Sequence, residues 1–198
     1  KKLINDLKMF SESAVSLVPL YDLRDWSLQH GELVCESPSS FKVILCDITI
    51  EGREVTHWTQ PLIEAVGSAV FGLICCEDNG ILKFLVKVMP ELGCFDGIEL
   101  GPSIQREAIS QSTDLLEQFF MERLKLGTSV VFDHMLSEEG GRFYHEQNRN
   151  VLLRMNREEL PKLPEGYFLL DYCTLNELTQ VNNVLNIQLR NLLSLLEA

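Results

Sequence analysis

Two apolar runs joined by a tight turn constrain the fold of this 198-residue chain more than any other feature of its sequence. Residues 70–76 and 81–89 are almost wholly apolar, and Asn79 and Gly80 stand in the short polar stretch between them. Asn-Gly favours a two-residue hairpin turn because both residues accept a positive φ at little cost. The two runs are therefore predicted to pair as antiparallel strands, and the β-branched run at 41–50 predicts a further, central strand.

The rest of the chain mixes short strands with helices. Apolar residues recur at helical spacing over 113–126, and a glycine follows as a stop signal. The most regular stripe, at 178–196, predicts one long C-terminal helix, with Thr174 as its N-cap and Glu177 completing a capping box. Further strands are predicted at 32–35, 98–105, 129–132, 150–155 and 167–171. Hairpins combined with separated helices predict the α+β class.

The first residues form a separate unit in this interpretation. Residues 1–13 carry apolar side chains at helical spacing, which predicts a short amphipathic helix that is either a docking arm or a frayed end. Residues 1–17 are accordingly assigned to an N-terminal helical arm, and residues 18–198 to a single module.

Composition narrows the classes of function. The formal net charge of −12 repels polyanions, so nucleic acid is not expected as a partner. No apolar stretch approaches the roughly 20 residues that cross a bilayer, and the first residues lack the apolar run of a signal peptide, which predicts a cytoplasmic protein without membrane contact. The six cysteines form no Cys-x-x-Cys pair and the four histidines lack metal-ligand spacing, so neither a disulfide nor a metal site is expected.

Three segments carry polar groups that suit a binding site. In the first, at 52–62, Trp58 offers a stacking face while Arg53, His57 and Gln60 offer directional hydrogen bonds. This segment is interpreted as a strand-to-loop transition, and a buried tryptophan that anchors a turn is an equally weighted alternative. In the second, at 99–105, a Gly-Pro pair lies between a carboxylate and an amide, a pattern that fits a pocket wall or simply a turn.

The third segment, at 133–150, has the densest polar set. Its diglycine allows the backbone to approach a ligand, and its arginines suit a diphosphate because the guanidinium donates two parallel hydrogen bonds. A solvated, charge-balanced hairpin is the alternative, and the residues of this segment alone favour it over a binding site. Its polar set includes Glu138, Glu139, Gly140, Gly141, Arg142, Tyr144, Asn148 and Arg149, together with His134 and His145.

Taken in order, these segments resemble the NDP-hexose 2,3-dehydratase family, sugar nucleotide enzymes that make 2,6-dideoxysugars. The matching pieces are Gly52-Arg53-Glu54-Val55 with Trp58-x-Gln60-Pro61-Leu62, Glu99-Leu100-Gly101-Pro102-Ser103-Ile104-Gln105, Ser137-Glu138-Glu139-Gly140-Gly141-Arg142-Phe143-Tyr144, Asn148-Arg149-Asn150, and Asn182-Asn183-Val184-x-Asn186. The resemblance covers 18–196, and the family more often has alanine at the Gly101 position.

The resemblance implies a Nudix-like mixed sheet flanked by helices, without the acidic helix motif of true Nudix hydrolases. It implies a nucleotide-sugar ligand, typically a dTDP-4-keto-6-deoxyhexose but in principle another NDP-sugar, and neither a metal nor an organic cofactor. Familiar members carry two copies of the module and form dimers, whereas this chain has one copy. A homodimer is therefore predicted, and the stripe at 178–196 either meets a partner or covers its own core.

The implied reaction is a lyase step, loss of the C2 hydroxyl from the sugar. It needs a base for the C3 proton, a donor for the C4 oxyanion and an acid for the leaving hydroxyl. The candidate acids and bases are Glu138, Glu139, Tyr144 and His57. Arg142 and Gln60 are candidate donors to sugar oxygens, and Trp58 is a candidate stacking residue. The remaining candidate binding residues are Arg53, Arg149, Asn148, Glu99, Gln105, Gly140 and Gly141.

Catalysis by this module is the leading prediction. A module that holds a nucleotide sugar without reacting is the first alternative. An unrelated interaction protein that has kept only the scaffold is the second.

Overall fold

The computed structural model describes residues 2–10, 15–111 and 113–196, and two β-sheets dominate it. The smaller sheet has four antiparallel strands in chain order: β1 (Trp26–Gln29), β2 (Glu32–Cys35), β3 (Phe41–Thr49) and β4 (His57–Ala65). The segment at 52–62 was expected to leave its strand for a loop, but from His57 onward it is β4. Its alternation of exposed and half-buried side chains continues through Pro61.

The larger sheet has seven strands in the order β11-β6-β5-β10-β9, with β7 beside β6 and β8 beside β5. Its strands are β5 (Val70–Asp78), β6 (Ile81–Pro90), β7 (Ile98–Pro102), β8 (Ile104–Arg106), β9 (Val130–Ser137), β10 (Gln147–Met155) and β11 (Tyr167–Asp171). The helices are α1 (Lys2–Met9), α2 (Leu115–Leu126), α3 (Tyr172–Thr179) and α4 (Ile187–Ser194).

The predicted hairpin is β5 and β6. Asn79 and Gly80 both have positive φ, at 55° and 75°, and the flanking strands pair antiparallel. β5 also pairs in parallel with β10, which places it at the centre of the sheet. Its two faces are both covered, because Leu73 packs in the cluster that includes α3 and α4 while Ile74 packs in the cluster that includes α2. A strand covered on both sides reads as a continuous apolar run rather than an alternating one.

The single strand predicted at 98–105 is two strands, β7 and β8, that meet at Ser103. The Ser103 hydroxyl donates to the carbonyl of Leu85 (2.5 Å) and accepts from the backbone N–H of Ile74 (2.9 Å). The Ser103 side chain therefore makes the hydrogen bonds of two backbone groups, one on β5 and one on β6, at the point where the chain passes from β7 to β8.

The C-terminal prediction was wrong in one respect, because the leucine stripe belongs to two helices. The N-cap of α3 is Asp171, whose carboxylate accepts from the Thr174 N–H (2.8 Å), so Thr174 is not the cap and no capping box with Glu177 forms. A second helix, α4, begins after Asn186, which accepts from the Leu189 N–H (3.0 Å). Most of the stripe's leucines pack into the chain's own core, namely Leu178, Leu185, Leu189, Leu192 and Leu193.

The N-terminal helix packs on the module. Ile4 is buried in the same cluster as α3 and α4, and the Lys8 ammonium bonds Asp96 (2.8 Å) and the carbonyl of Asn183. The remaining parts of the predicted arm at residues 1 and 11–14 lie outside the described residues. Across the described ranges, no helix is long and apolar enough to span a membrane.

Candidate functional site

The connection between β9 and β10, residues 138–146, joins the two sheets and is called the 138–146 loop below. The backbone N–H of Ile63 donates to the carbonyl of Arg142 (2.8 Å), and the N–H of Tyr144 donates to the carbonyl of Ile63 (2.8 Å). The loop thus adds a short parallel pairing to the edge of β4. It stands as a wall between two concave regions.

The first region, called the inner cavity below, consists of two adjoining spaces of about 340 Å³ and 390 Å³. Both spaces are lined by Glu91, Arg142 and Ile187. Polar groups from distant segments meet there, among them Glu99 from β7, Arg142 from the loop, and the 182–183 turn before α4. The fold therefore brings together parts of three of the sequence segments that carry the family resemblance.

The second region, called the outer cleft below, has a volume of about 770 Å³ and lies between the small sheet and the other side of the loop. Ile48 and Leu62 of the small sheet line one wall, while Glu138, Gly140 and Tyr144 line the other. Glu138 lines the inner cavity as well, so its carboxylate stands at the boundary between the two regions.

Asn148 holds the base of the loop. This side chain is only 2% exposed. Its Nδ2 donates to Glu138 Oε1 (2.9 Å) and to Glu146 Oε1 (2.9 Å), while its Oδ1 accepts from the Ala69 N–H (2.8 Å). Asn148 therefore fixes two carboxylates relative to the core and uses its hydrogen-bonding capacity within the protein.

Glu139 and Arg142 form an exposed pair within the loop. The guanidinium donates to Glu139 Oε2 at 2.6 Å, and both side chains are more than half exposed. An exposed pair of this kind contributes little to stability, so Arg142 can exchange its carboxylate partner for a ligand oxygen at small cost.

Glu91 and Glu99 form a pair of acidic groups in the inner cavity. Glu99 is 4% exposed, and Glu91 is half-buried. Burial, and then the negative charge of Glu99, raise the pKa of the Glu91 carboxyl above its ordinary value, while a hydrogen bond with Asn186 opposes this shift. The Cys94 thiol contacts Glu99 as well, and burial raises its pKa to about 11.

Gln105 reaches the same neighbourhood through Asn186. The Asn186 Nδ2 donates to Gln105 Oε1 (3.1 Å), and the Asn186 Oδ1 caps α4. Close packing surrounds this asparagine, because a Cβ on Gly101 would lie 3.1 Å from Asn186 Nδ2 and 2.2 Å from Met89 Sδ. Alanine at position 101 would therefore require Met89 to move.

Trp58 and Gln60 lie on one face of β4 and connect to the loop. The Trp58 indole N–H donates to Gln60 Oε1 (2.7 Å), and Gln60 Nε2 donates to the carbonyl of Gly141 (3.0 Å). A Cβ on Gly140 or Gly141 would meet no heavy atom within 4 Å, so the surface of the diglycine is open. Packing does not account for glycine at either position.

His57, Arg53 and Arg149 are among the predicted site residues that line neither the inner cavity nor the outer cleft. His57 is exposed, contacts Asp47 (2.5 Å) and, by strand alternation, lies on the opposite face of β4 from Trp58. Arg53 is exposed in the turn between β3 and β4. Arg149 lies on the opposite face of β10 from Asn148 and makes a bidentate contact with Asp133 (2.8 Å and 2.5 Å), which lowers the pKa of that carboxyl.

Sequence reasoning missed four groups that line the inner cavity: Glu91, Glu107, Glu146 and Arg190. Burial, followed by the charge of Glu146, raises the pKa of the Glu107 carboxyl. Only Glu146 stood inside a segment singled out from the sequence, and the others follow strands or sit within the leucine stripe without a motif of their own. Among the described residues, no group of three or more His, Cys, Asp or Glu side chains is arranged to hold a metal ion.

Comparison with known proteins gives one family and one fold. A family model described as NDP-hexose 2,3-dehydratase matches residues 1–196. A dTDP-4-dehydro-6-deoxy-alpha-D-glucopyranose 2,3-dehydratase of Streptomyces violaceoruber is 31% identical over 182 residues, covering 89% of this chain and 41% of the relative. One of the same description from Saccharopolyspora spinosa is 30% identical over 185 residues, covering 91% of this chain and 38% of the relative. The chain spans about two fifths of the length of these curated relatives.

A solved crystal structure described as an ADP compounds hydrolase superposes with a TM-score of 0.51 at 13% identity, covering 89% of this chain and 94% of that chain. At this identity the likeness concerns the fold alone. It confirms the predicted Nudix-like α+β fold, a mixed sheet flanked by helices.

Proposed function

Because the chain belongs to the NDP-hexose 2,3-dehydratase family, we propose that it removes the C2 hydroxyl of a dTDP-4-keto-6-deoxyhexose. The curated relatives are described as 2,3-dehydratases of dTDP-4-dehydro-6-deoxyglucose, and this description supports the choice of substrate. In this proposal the sugar occupies the inner cavity.

The convergence of Glu99, Arg142 and the 182–183 turn is the observation that carries the proposal. These groups come from positions far apart in the chain, and each lies in a segment that resembles the family. A cavity of a few hundred cubic ångströms with a small number of convergent polar groups is typical of a small-molecule site.

The reaction needs three roles in that cavity. A base removes the C3 proton, which the C4 ketone acidifies, and the electron pair moves to the C4 oxygen as an enolate. Arg142 is suited to stabilise that oxyanion, because its guanidinium offers several donors at the cavity wall. The C2–oxygen bond then breaks, an acid supplies a proton so that water leaves, and the resulting enol tautomerises to a 3,4-diketone.

Glu138 is our proposed base. Its carboxylate lines the cavity, and Asn148 holds it in place, so little reorganisation is needed before proton transfer. Glu91 is our proposed acid, since burial and the nearby Glu99 raise its pKa and favour the protonated form. Three further residues stay candidate acids or bases: Glu139 in the 138–146 loop, Tyr144 in the outer cleft and His57 on the small sheet.

Turnover in the presence of a 3-ketoreductase tests the proposal. The purified chain is incubated with a dTDP-4-keto-6-deoxyhexose and the reductase, which traps the unstable 3,4-diketone as a stable alcohol. We expect a product that has lost the C2 oxygen. If the sugar is recovered intact at every enzyme concentration and pH, catalysis by this chain is excluded.

A binding role without turnover is the second candidate. In this role Arg142 and the 182–183 turn hold the nucleotide sugar in the inner cavity and no proton is transferred. Calorimetric titration with a dTDP-sugar separates the candidates, since saturable binding without product formation supports the binding role. Absence of binding leaves only the scaffold interpretation.

A homodimer is part of the proposal, but its interface must be a surface other than the leucine stripe at 178–196. The leucine stripe at 178–196 is largely occupied by the chain's own core, whereas the small sheet exposes apolar side chains such as Leu28 and Leu45. Light scattering at micromolar concentration tests the assembly, and a mass that corresponds to one chain would exclude it. The cytoplasmic location stays a prediction.

A further inference from the structure

The diphosphate of a nucleotide sugar needs a local source of positive charge in this chain. The formal net charge of −12 gives a field that repels a dianion, so nearby guanidinium or ammonium groups must overcome it. The outer cleft offers no such group, because Asp47, Glu138 and Glu146 line it and no lysine or arginine does within the described part of the chain.

The inner cavity has two arginines. Arg142 comes from the 138–146 loop and Arg190 from α4, and both line the space that also contains Glu99. By contrast, Arg149 is engaged by Asp133 on the other face of its strand, and Arg53 lies in an exposed turn. The two arginines therefore line one space of the inner cavity, where Glu91 and Glu99 are the carboxylates beside them.

Arg190 suits an anion because its backbone is anchored and because its guanidinium has no carboxylate partner among the described residues. Its backbone N–H bonds the carbonyl of Asn186, and the neighbouring Leu189 is fully buried, so α4 is anchored to the core. Across residues 2–10, 15–111 and 113–196, no carboxylate lies within 4.0 Å of the Arg190 guanidinium.

Depth separates the positive from the negative groups. Arg190 is exposed, while Glu99 is almost fully buried, so this guanidinium lies nearer the mouth of the cavity and this carboxylate lies nearer the bottom. Thr179, Asn182 and Asn183 line the same space and offer further polar contacts beside Arg190. This arrangement suits a ligand that enters sugar first and leaves its diphosphate at the mouth.

We infer that Arg190 is the clamp for the diphosphate of the nucleotide sugar, with the sugar directed toward Arg142, Glu91 and Glu99. This inference rests on the proposed function and adds the residue that holds the anion and the direction in which the substrate lies. Arginine is suited to the role because its planar fork matches phosphate oxygens with two parallel hydrogen bonds.

Calorimetric titration of the full chain with dTDP, dTMP and thymidine tests the clamp. For Arg190→Met we expect dTDP to bind roughly 10-fold or more weakly than to the wild type, with thymidine binding unchanged, because a charge-assisted contact is lost. Arg190→Lys keeps the charge but not the fork and is expected to bind dTDP with intermediate affinity. Arg24→Met is the control matched in charge, since Arg24 is exposed just before β1, and its dTDP affinity is expected to equal the wild type.

The outcomes separate the clamp from the proposed function. If wild type and Arg190→Met bind dTDP equally well, the clamp is overturned while the function stands. If the wild type binds no dTDP at all, both are overturned. Thermal unfolding of Arg190→Met confirms that the variant is folded before its affinity is compared.

Discussion

The side-chain amide of Asn148 lies 2.9 Å from the carboxylate of Glu138, and this hydrogen bond joins the buried start of β10 to the wall of the inner cavity. The same amide donates to Glu146, and its oxygen accepts from the backbone N–H of Ala69, the residue before β5. One buried side chain thus sets the position of the loop relative to the large sheet. The link makes stability and site geometry depend on the same residue.

Replacing Asn148 by alanine is expected to lower the free energy of unfolding by about 3 kcal/mol, because a buried N–H loses its acceptor and two carboxylates lose a donor. Urea denaturation measures the change. Asn176→Ala on the exposed side of α3 is the control and is expected to have little effect. Equal stability of the two variants would contradict the bridging role of Asn148.

Glu91→Gln is expected to change the dependence of stability on pH. The folded-state pKa of Glu91 is raised, so its contribution to stability is fully present below the ordinary value of 4.5 and is lost as pH rises through the raised pKa. Glutamine removes this loss and can still accept the bond from Asn186. The variant is therefore expected to gain stability over the wild type as pH rises from below 4.5 to neutrality.

Denaturation at a series of pH values measures that difference. Glu122→Gln, on the exposed side of α2, is the control. A difference between Glu91→Gln and the wild type that stays constant over the whole range would show that burial of Glu91 imposes no penalty on its charged form.

Turns and helix ends were predicted correctly where the residues at the turn itself determine the backbone conformation. Asn79 and Gly80 set the hairpin, and Gly127 ends α2 in the left-handed conformation at a φ of 67°. The break between α3 and α4 could not be predicted from the hydrophobic pattern. Leu178 and Leu185 both pack in the core, so the apolar spacing continues across the non-helical residues between the two helices. Periodicity reports burial, and burial continued across the break.

The sequence singled out two parts of the candidate site, the 138–146 loop and Glu99. Glu138 and Arg142 stood in a dense polar segment, whereas Glu91 and Arg190 stand alone among apolar or turn residues. What makes them neighbours is the pairing of β7 with β6 and the packing of α4 against β7. These contacts between distant parts of the chain cannot be read from spacing in one sequence.

Two glycines are expected to respond oppositely to alanine. A Cβ on Gly72 would lie 2.3 Å from Phe120 Cζ at the centre of the α2 cluster, whereas a Cβ on Gly140 would meet nothing within 4 Å. Gly72→Ala should lower the free energy of unfolding by about 2 kcal/mol through overpacking, and Gly140→Ala should leave it nearly unchanged. Thermal or urea unfolding compares them, and a stable Gly72→Ala variant would show that the ring of Phe120 moves easily.

Comparing Glu138→Gln with Tyr144→Phe distinguishes the inner cavity from the outer cleft as the place of chemistry. Glu138 borders both regions, while Tyr144 lines only the outer cleft and stacks on His145 with ring centroids 4.2 Å apart. If the sugar reacts in the inner cavity with Glu138 as base, Glu138→Gln lowers kcat by about 100-fold or more and leaves KM nearly unchanged, because a general base acts in the transition state. Tyr144→Phe then retains most of the wild-type kcat. The reverse result, with Tyr144→Phe inactive and Glu138→Gln active, would move the reacting sugar to the outer cleft and make the tyrosine hydroxyl the group that transfers the proton.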